Sequence, residues 1–299
     1  MSGTKIKELV VVSGKGGTGK TSLTASFAVL AGHAVIADCD VDAADLHLIL
    51  VPQVRYRHEF KSGHEAVIRV ENCLGCGECM KNCRFDAVRT SGDGTGVPVF
   101  SIDPVSCEGC GVCVCFCPAH AIDFPERVCG EWMVSETRCG SMVHARLGVA
   151  AENSGKLVST VRREARRIAE EHGNGLIIVD GPPGIGCPVI SSVTGASLVL
   201  AVTEPTVSGE HDLERLIALT RHFSVPTAVC VNKWDINPGM TEVIERKALE
   251  AGARVVGRIR YDSAVTAAQL RELAVVETEA PSAGDIRHVW EKLKGKENC

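Results

Sequence analysis

The sequence has few aromatic residues, no excess of positive charge and no long apolar run. Aromatic side chains make up 4% of the 299 residues, too few for the stacking platforms with which proteins bind single-stranded nucleic acid. The net charge of -5 argues against broad electrostatic attraction to nucleic acid, because that binding needs a concentrated basic face. No apolar run approaches the length that crosses a bilayer. We therefore expect neither nucleic acid nor a membrane among the partners.

Residues 1–7 also lack the apolar core of a signal peptide. Cysteine, in contrast, is abundant: the chain has 15 cysteines, and nine of them lie between Cys73 and Cys117. Their spacing is typical of metal ligands and not of a disulfide framework, which indicates a reducing compartment. We expect a cytoplasmic protein.

Short apolar runs alternate with segments of helical periodicity along most of the chain. This alternation predicts a parallel sheet covered by helices on both faces. The predicted strands are 8–12, 35–37, 176–180, 197–202, 227–231 and 254–259, and the predicted helices follow Lys20 and span 157–169, 212–221, 240–250, 263–272 and 285–294. The last helix places Ile286, Val289, Trp290 and Leu293 on one stripe, which we interpret as packing on the core and not on a membrane.

A glycine-rich loop follows the first predicted strand and precedes the first helix. Its pattern is G-x-x-x-x-G-K-S/T, and the residues are Gly14-Lys15-Gly16-Gly17-Thr18-Gly19-Lys20-Thr21. Glycines let successive backbone N–H groups converge on phosphate oxygens, and the helix N-terminus adds the positive end of its dipole. Lys20 supplies a charge to the phosphates, and the Thr21 hydroxyl can bind Mg²⁺. The loop therefore predicts a nucleoside triphosphate site.

Lys15 distinguishes this loop from a general P-loop. The sequence K-G-G-x-G-K-T resembles the deviant Walker A motif of the MinD/ParA/nitrogenase-iron-protein ATPases. The resemblance implies that Lys15 reaches across a nucleotide-sandwich dimer to the partner's phosphates. It also implies that Asp40 orients the attacking water and Asp38 supports Mg²⁺, because Asp38-Cys39-Asp40 matches the family's D-x-D.

The resemblance extends to a second acidic segment, Asp180-Gly181-Pro182-Pro183-Gly184, which is similar to the family's D-x-P-x-G. It implies that Asp180 holds the metal through water and that Gly184 offers its N–H to the γ-phosphate. A later segment, Asn232-Lys233-Trp234-Asp235, satisfies the N-K-x-D signature with which GTPases read guanine. In MinD-like ATPases the equivalent asparagine contacts adenine, so we favour ATP and keep GTP as the alternative.

Two cysteine runs follow the C-x₂-C-x₂-C-x₃-C pattern of bacterial ferredoxins, in which the fourth cysteine of each run ligates the other cluster. Zinc is the alternative, but zinc takes four ligands from paired knuckles and fits these runs poorly. Arg84 stands where a proline usually follows the first run, and Cys115 interrupts the second. The expected ligands are Cys73, Cys76, Cys79 and Cys117 for one [4Fe–4S] cluster and Cys83, Cys107, Cys110 and Cys113 for the other.

Six cysteines remain outside the two runs, namely Cys39, Cys129, Cys139, Cys187, Cys230 and Cys299. Most are interpreted as small buried apolar residues. Cys187 lies seven residues after Asp180, where nitrogenase iron protein places a cysteine that holds a cluster bridging its dimer. A second metal site at Cys187 is therefore a hypothesis. The C-terminal C-x-x-C of the Mrp-type cluster carriers is absent.

The α/β alternation stops near Pro52, and cysteine-rich sequence continues to about Pro125. We therefore expect an α/β fold with a discontinuous P-loop NTPase domain, residues 1–55 and 126–299, built on a doubly wound parallel sheet. Residues 56–125 are expected to form an inserted α+β domain of the bacterial ferredoxin type. The resemblance to ATPases with such an insertion runs from Lys5 onward, and the ATPase sequence resumes at 152–158.

Three functions agree with this combination. In the first, ATP and Mg²⁺ close a dimer and gate electron transfer through the two clusters to a redox partner. In the second, the protein is a scaffold or carrier that delivers a metal cluster to an acceptor protein. In the third, it is a MinD-like positioning ATPase with a structural ferredoxin module. The dimer partner would be an identical chain or a paralogue, and hydrolysis would be slow in the isolated protein because Lys15 must come from another subunit.

Overall fold

A computed structural model describes residues 6–91, 98–148 and 154–295. Lys5, Cys299 and the first two residues of the segment 152–158 lie outside these residues. The strands are β1 (Lys7–Ser13), β2 (Val35–Asp38), β3 (Gln53–His64), β4 (Val67–Ile68), β5 (Val88–Ser91), β6 (Val99–Ile102), β7 (Ile122–Asp123), β8 (Glu126–Thr137), β9 (Gly140–Leu147), β10 (Leu176–Pro183), β11 (Leu198–Thr203), β12 (Thr227–Asn232) and β13 (Arg254–Ile259).

The helices alternate with these strands over most of the chain. They are α1 (Lys20–Ala31), α2 (Leu46–Leu50), α3 (Glu78–Asn82), α4 (Val112–Cys115), α5 (Ser154–His172), α6 (Cys187–Val193), α7 (Val207–His222), α8 (Pro238–Glu250), α9 (Ala264–Gln269) and α10 (Pro281–Lys294). Single 3₁₀ turns span Val70–Asn72, Trp234–Ile236 and Val275–Glu277.

The chain divides into two compact units. The first consists of the described residues within Met1–His58, Glu131–Leu147 and Asn153–Cys299, and the second of those within Glu59–Gly130 and Gly148–Glu152. The chain passes from the first unit to the second within β3 and returns within β8.

A nine-stranded sheet of order β13-β12-β11-β1-β10-β2-β9-β8-β3 forms the centre of the fold. The pairs from β13 through to β9 are all parallel, which confirms the predicted α/β class. Val10 of β1 is fully buried and lies opposite Val179 of β10 and Val199 of β11. The sequences of strands that are covered on both faces are continuous apolar runs, and this part of the sheet could therefore be predicted.

Three strands of the sheet were not predicted. β3, β8 and β9 occupy residues that the sequence analysis left without elements, and they extend the sheet beyond β2. Residues 53–59 at the start of β3 are all exposed. An exposed strand has no need of the apolar residues by which buried strands are recognised.

The helix bounds also differ from the predicted ones. α7 begins at Val207 and not at Asp212, because the Thr206 side chain caps the helix by accepting from the Gly209 N–H at 3.0 Å. α9 ends at Gln269, short of the predicted Glu272.

The last helix packs on the core of the first unit, as predicted. Ile286, Val289 and Trp290 are buried, and the Trp290 ring stacks on Phe27 of α1 with centroids 5.2 Å apart. The apolar stripe of α10 is therefore used within the fold. Among the described residues, no helix has the length and apolar character needed to cross a membrane.

The second unit contains two short antiparallel pairs, β4 with β7 and β5 with β6. Its core is small and is built from Ala66, Cys79, Val88, Phe100 and Ile122. Partly buried cysteines pack against this core, namely Cys73, Cys83, Cys107, Cys113 and Cys117. Because thiols take the place of larger apolar side chains, this core buries little apolar surface. Such small cores are typical of units that a bound group stabilises.

Candidate functional site

The glycine-rich loop lies at the carboxyl end of β1, between β10 and β11, where the strand order of the sheet reverses. Ligands of doubly wound sheets bind at such a point. Gly19 has φ +85°, and a Cβ there would lie 2.4 Å from Asn232 Nδ2. A Cβ on Gly14 would lie 2.2 Å from Asp212 Cβ. Both positions therefore require glycine for reasons of space, and Gly19 requires it for its backbone conformation as well.

Three of the predicted residues converge at the start of α1. Lys20 Nζ lies 3.0 Å from Asp40 Oδ2 and 3.3 Å from Asp180 Oδ1. Burial alone would lower the pKa of Lys20, but the charges of Asp180 and Asp40 outweigh it and raise the pKa above its ordinary value. Lys20 is therefore held as a cation by two carboxylates, at the place where the motif predicts phosphate.

Asp38 lies beside them and is fully buried. Its Oδ1 accepts the Asp40 N–H at 3.2 Å, whereas Oδ2 is buried without a hydrogen-bond partner among the described residues. Burial, followed by repulsion from Asp180, raises the pKa of Asp38 well above its ordinary value. Thr21 Oγ1 donates to Asp180 Oδ2 at 2.8 Å. Asp38 Oδ2, the Asp180 carboxylate and the Thr21 hydroxyl together provide oxygen ligands of the kind that suits a hard divalent cation.

Lys15 does not contact the acids that hold Lys20. Its Nζ lies 3.3 Å from Glu204 Oε2 and 3.5 Å from Ser208 Oγ. Glu204 also accepts from Lys233 Nζ at 2.5 Å. Sequence reasoning missed Glu204, although a polar residue directly after a parallel strand, here β11, is a signal for this edge of the sheet.

The residues of the N-K-x-D segment make contacts in two different places. Asn232 Nδ2 donates to the Thr18 carbonyl at 2.8 Å and Lys233 Nζ to the Gly17 carbonyl at 3.2 Å, so both side chains fix the phosphate loop. Asp235 instead accepts the Tyr261 N–H at 2.7 Å. One oxygen of that carboxylate is thus used by the backbone, and the choice between ATP and GTP stays a prediction.

Gly184 lies at the end of the segment that starts with Asp180. It has φ +89°, and its N–H donates to the Ser13 carbonyl at 2.8 Å. The N–H that the family resemblance assigns to the γ-phosphate is therefore satisfied within the protein.

The phosphate loop, Asp40, Asn232 and Lys233 line a cavity of about 800 Å³. This size is typical of sites for small molecules and cofactors. The phosphate loop forms one wall and the segment after β13 forms another. Its lining includes Gly16, Gly17, Thr18, Gly19, Lys20, Thr21, Asp40, Pro183, Asn232, Lys233, Arg260, Tyr261 and Asp262.

A smaller cavity in the second unit is lined by four cysteines, Cys83, Cys107, Cys110 and Cys113. Burial and the neighbouring Cys107 and Cys110 raise the pKa of Cys113 to about 11. Each described cysteine is a free thiol. In the part of the chain that the structure describes, no group of three or more His, Cys, Asp or Glu is arranged to hold a metal ion. Both cluster sites therefore stay predictions.

Three cysteines of the first predicted cluster set are neighbours, because burial together with the nearby Cys73 and Cys76 raises the pKa of Cys79. The fourth, Cys117, comes from the other run and accepts the Ala121 N–H on its Sγ at 3.3 Å. Cys73, Cys79 and Cys117 belong to the small core of the second unit, whereas Cys76 is exposed. Ligation of a cluster by these four thiols stays a prediction.

Of the cysteines outside the two runs, Cys39, Cys129, Cys139 and Cys230 are buried, as expected for small apolar residues. Cys187 is exposed at the first position of α6. Its predicted role in a second metal site stays a hypothesis.

A parallel sheet with a glycine loop between β1 and α1, a lysine on that helix and acids at the neighbouring strand ends defines a P-loop nucleotide-binding protein. Residues 9–275 match the CobQ/CobB/MinD/ParA nucleotide binding domain. The chain belongs to this family.

Two relatives from Methanocaldococcus jannaschii support the assignment. The uncharacterized protein MJ0578 is 31% identical over 97% of this chain and 97% of its own length. A second, MJ0579, is 26% identical over 77% of this chain and 81% of its own.

Solved structures agree in fold. The septum site-determining protein MinD of Pyrococcus horikoshii has a TM-score of 0.60 at 16% identity, covering 97% of this chain and 96% of that one. McdA of Cyanothece has a TM-score of 0.58 at 16% identity, covering 96% and 99%. At this identity the likeness extends to the fold alone.

Proposed function

We propose that this protein is an ATPase whose nucleotide-dependent dimerisation controls electron transfer by two [4Fe–4S] clusters in the second unit. The observation that carries the proposal is the cavity lined by Cys83, Cys107, Cys110 and Cys113. It brings together three cysteines of one run and the last cysteine of the other, the four that the ferredoxin pattern expects to share one cluster.

The nucleotide half of the proposal rests on the first unit. The related MinD of Pyrococcus horikoshii was solved as a complex with Mg-ADP, and we extend that ligand to this chain. Mg²⁺ would be held by Thr21 directly, with Asp38 and Asp180 behind it, and would neutralise charge on the phosphate oxygens. Lys20 would transfer from its two carboxylates to the phosphates.

That transfer would change the state of Asp40. Its carboxylate now accepts from Lys20 at 3.0 Å, and burial raises the pKa of Asp40 above its ordinary value. Once Lys20 binds phosphate, Asp40 is free to orient a water molecule. Asn232 and Lys233 would continue to hold the loop through the Thr18 and Gly17 carbonyls.

Lys15 supplies the link to a dimer. In the isolated chain its charge is neutralised by Glu204, and completion of a neighbouring subunit's site would require Lys15 to leave it. MinD of Aquifex aeolicus was solved with MinC, and a paralogue-like relative exists in MJ0579. We propose a homodimer, or a heterodimer with a paralogous ATPase, that meets a redox or cluster-acceptor protein.

The clusters would supply one-electron redox chemistry. Cys73, Cys76, Cys79 and Cys117 would hold one of them and the four cavity cysteines the other. Cys113, with its raised pKa, has to lose its proton before it can bind iron, because the thiolate is the ligand. Three exposed side chains, Leu74, Phe85 and Phe116, belong to this unit and provide apolar surface for a partner.

Two other functions are favoured by separate observations. The likeness in fold to MinD and McdA favours a positioning ATPase in which the second unit is structural. Because the apolar face of α10 packs on the core, that face is not available to bind lipid. The exposed Cys187 favours a scaffold or carrier that delivers a metal cluster.

The deciding experiment is anaerobic iron and sulfide analysis with EPR of the reduced protein, with and without ATP and Mg²⁺. About eight irons per chain and EPR signals that shift with nucleotide would support ATP-controlled electron transfer. About eight irons with spectra insensitive to nucleotide would favour the positioning or carrier function. Absence of iron after anaerobic reconstitution would refute the cluster sites.

A further inference from the structure

Among the residues that the structure describes, the side chains that donate to the Asp180 carboxylate all belong to α1. Its Oδ2 accepts from Thr21 Oγ1 at 2.8 Å, and its Oδ1 accepts from Thr24 Oγ1 at 2.9 Å and from Lys20 Nζ at 3.3 Å. Residues spaced by three and four lie on one face of a helix, so the three donors form a row beneath the carboxylate. Asp180 itself is fully buried.

Two of these donors have other tasks in the proposed function. Lys20 moves to the phosphates and Thr21 moves to the metal, so both leave Asp180 when nucleotide binds. Thr24 has no such alternative, because it is fully buried one helical turn further from the phosphate loop. Its one other acceptor within the described part of the chain is the Lys20 carbonyl at 3.0 Å.

A hydroxyl has a single proton, so Thr24 can donate fully to only one of these acceptors. Hydrogen bonds to an ionised carboxylate are about twice as strong as those between neutral groups. The carboxylate is therefore the preferred acceptor.

We propose that Thr24 is the positioning residue that keeps Asp180 oriented towards the divalent cation after Lys20 and Thr21 have left it. The inference rests on the proposed nucleotide site and adds a residue that no motif marks. Thr24 would set the affinity for Mg²⁺ without contacting the metal or the nucleotide. Residues behind metal-binding groups typically change metal affinity by about 10-fold to 100-fold.

The test uses the full chain and a fluorescent ATP analogue, titrated at fixed protein with Mg²⁺ and, separately, in the presence of EDTA. Thr24→Val keeps the shape of the side chain and removes the hydroxyl, whereas Thr24→Ser keeps the hydroxyl. We expect Thr24→Val to weaken apparent Mg²⁺ affinity by about 10-fold or more, with nucleotide affinity in EDTA unchanged. Thr24→Ser should restore the Mg²⁺ affinity to within a few-fold of wild type.

Ser26→Ala is the matched control, because Ser26 is also a fully buried hydroxyl of α1 but donates to the Ser22 carbonyl of its own helix at 2.8 Å and not to Asp180. If Thr24→Val does not fold, Thr24→Cys serves in its place, since a thiol is a weak donor. An Mg²⁺ affinity equal to wild type in the variant without the hydroxyl would overturn the inference, as would an equal loss in Ser26→Ala. A wild-type protein whose nucleotide binding ignores Mg²⁺ would overturn the inference and the proposed nucleotide site together.

Discussion

The exchange of the fourth cysteine between the two runs can be tested by removing ligands one at a time. If Cys83 belongs with the second run, Cys83→Ser and Cys110→Ser should destroy the same cluster, although the two residues are in different runs. Cys117→Ser and Cys76→Ser should destroy the other. Each variant should fall from about eight irons to about four, since a cubane contains four.

The structure supplies a matched control for these variants. Cys115 lies in α4 between two predicted ligands, is exposed, and is not among the residues lining the cavity that Cys83 and Cys113 share. Cys115→Ser should therefore keep about eight irons. The replaced atoms are similar in size, so a change of iron content in the ligand variants would report ligation and not packing.

The assay is iron analysis together with EPR and the midpoint potential of the surviving cluster. Cys83→Ser and Cys110→Ser should leave a cluster with one set of g values and one potential, whereas Cys117→Ser and Cys76→Ser should leave a different one. If Cys83→Ser instead matched Cys76→Ser, ligation would follow the runs in order and the exchanged arrangement would be wrong. Loss of iron in Cys115→Ser would refute the assignment of ligands.

Three further predictions concern the two units separately. Glu204→Gln releases Lys15 from a partly exposed ion pair worth about 0.5–1 kcal/mol, so nucleotide-dependent dimerisation in sedimentation velocity should strengthen by about 2-fold to 5-fold. Arg162→Ala removes the partner 2.6 Å from the buried Glu8 and leaves Arg166 paired with it at 3.1 Å, so the loss should cost about 1.5–3 kcal/mol of unfolding free energy in urea titrations. Because the pKa of Cys113 is about 11 in the iron-free chain, the thiolate fraction rises with pH, and the initial rate of iron incorporation should increase between pH 7 and pH 9.

Each of these has a control that removes a similar group elsewhere. Glu214→Gln breaks an exposed pair with Lys247 and should leave dimerisation unchanged. Arg167→Ala breaks exposed pairs with Glu164 and Glu171 and should leave the unfolding free energy nearly unchanged. Equal effects in the control and test variants would contradict the first two predictions. An incorporation rate that falls or stays constant as pH rises would contradict the third.

The sequence predicted those parts of the fold and site in which one local pattern determines the structure. The buried parallel strands are continuous apolar runs, and the phosphate loop requires glycine at fixed positions. Asp38 and Asp180 were found because their segments resemble the family's D-x-D and D-x-P-x-G motifs, and the structure places the two acids opposite each other on β2 and β10.

What could not be predicted depends on contacts between distant segments. Thr24 and Glu204 belong to no motif, and their roles are visible only once α1 and β11 are placed beside the acids and lysines they contact. β3 was missed because most of its side chains are exposed and carry no apolar pattern. The tasks of Lys233 and Asp235 likewise depend on which carbonyl and which N–H the fold brings to them.

The hydrogen bond from the Gly184 N–H to the Ser13 carbonyl bears on how the site would tell a triphosphate from a diphosphate. An N–H shielded from water that loses its acceptor without replacement costs up to about 1–3 kcal/mol, and Gly184 is half-buried. A γ-phosphate oxygen offers a replacement, so the exchange leaves no donor unsatisfied, whereas a diphosphate offers none and leaves the internal bond in place. The Gly184 N–H would thus bond to the γ-phosphate when ATP is bound and to the Ser13 carbonyl when ADP is bound.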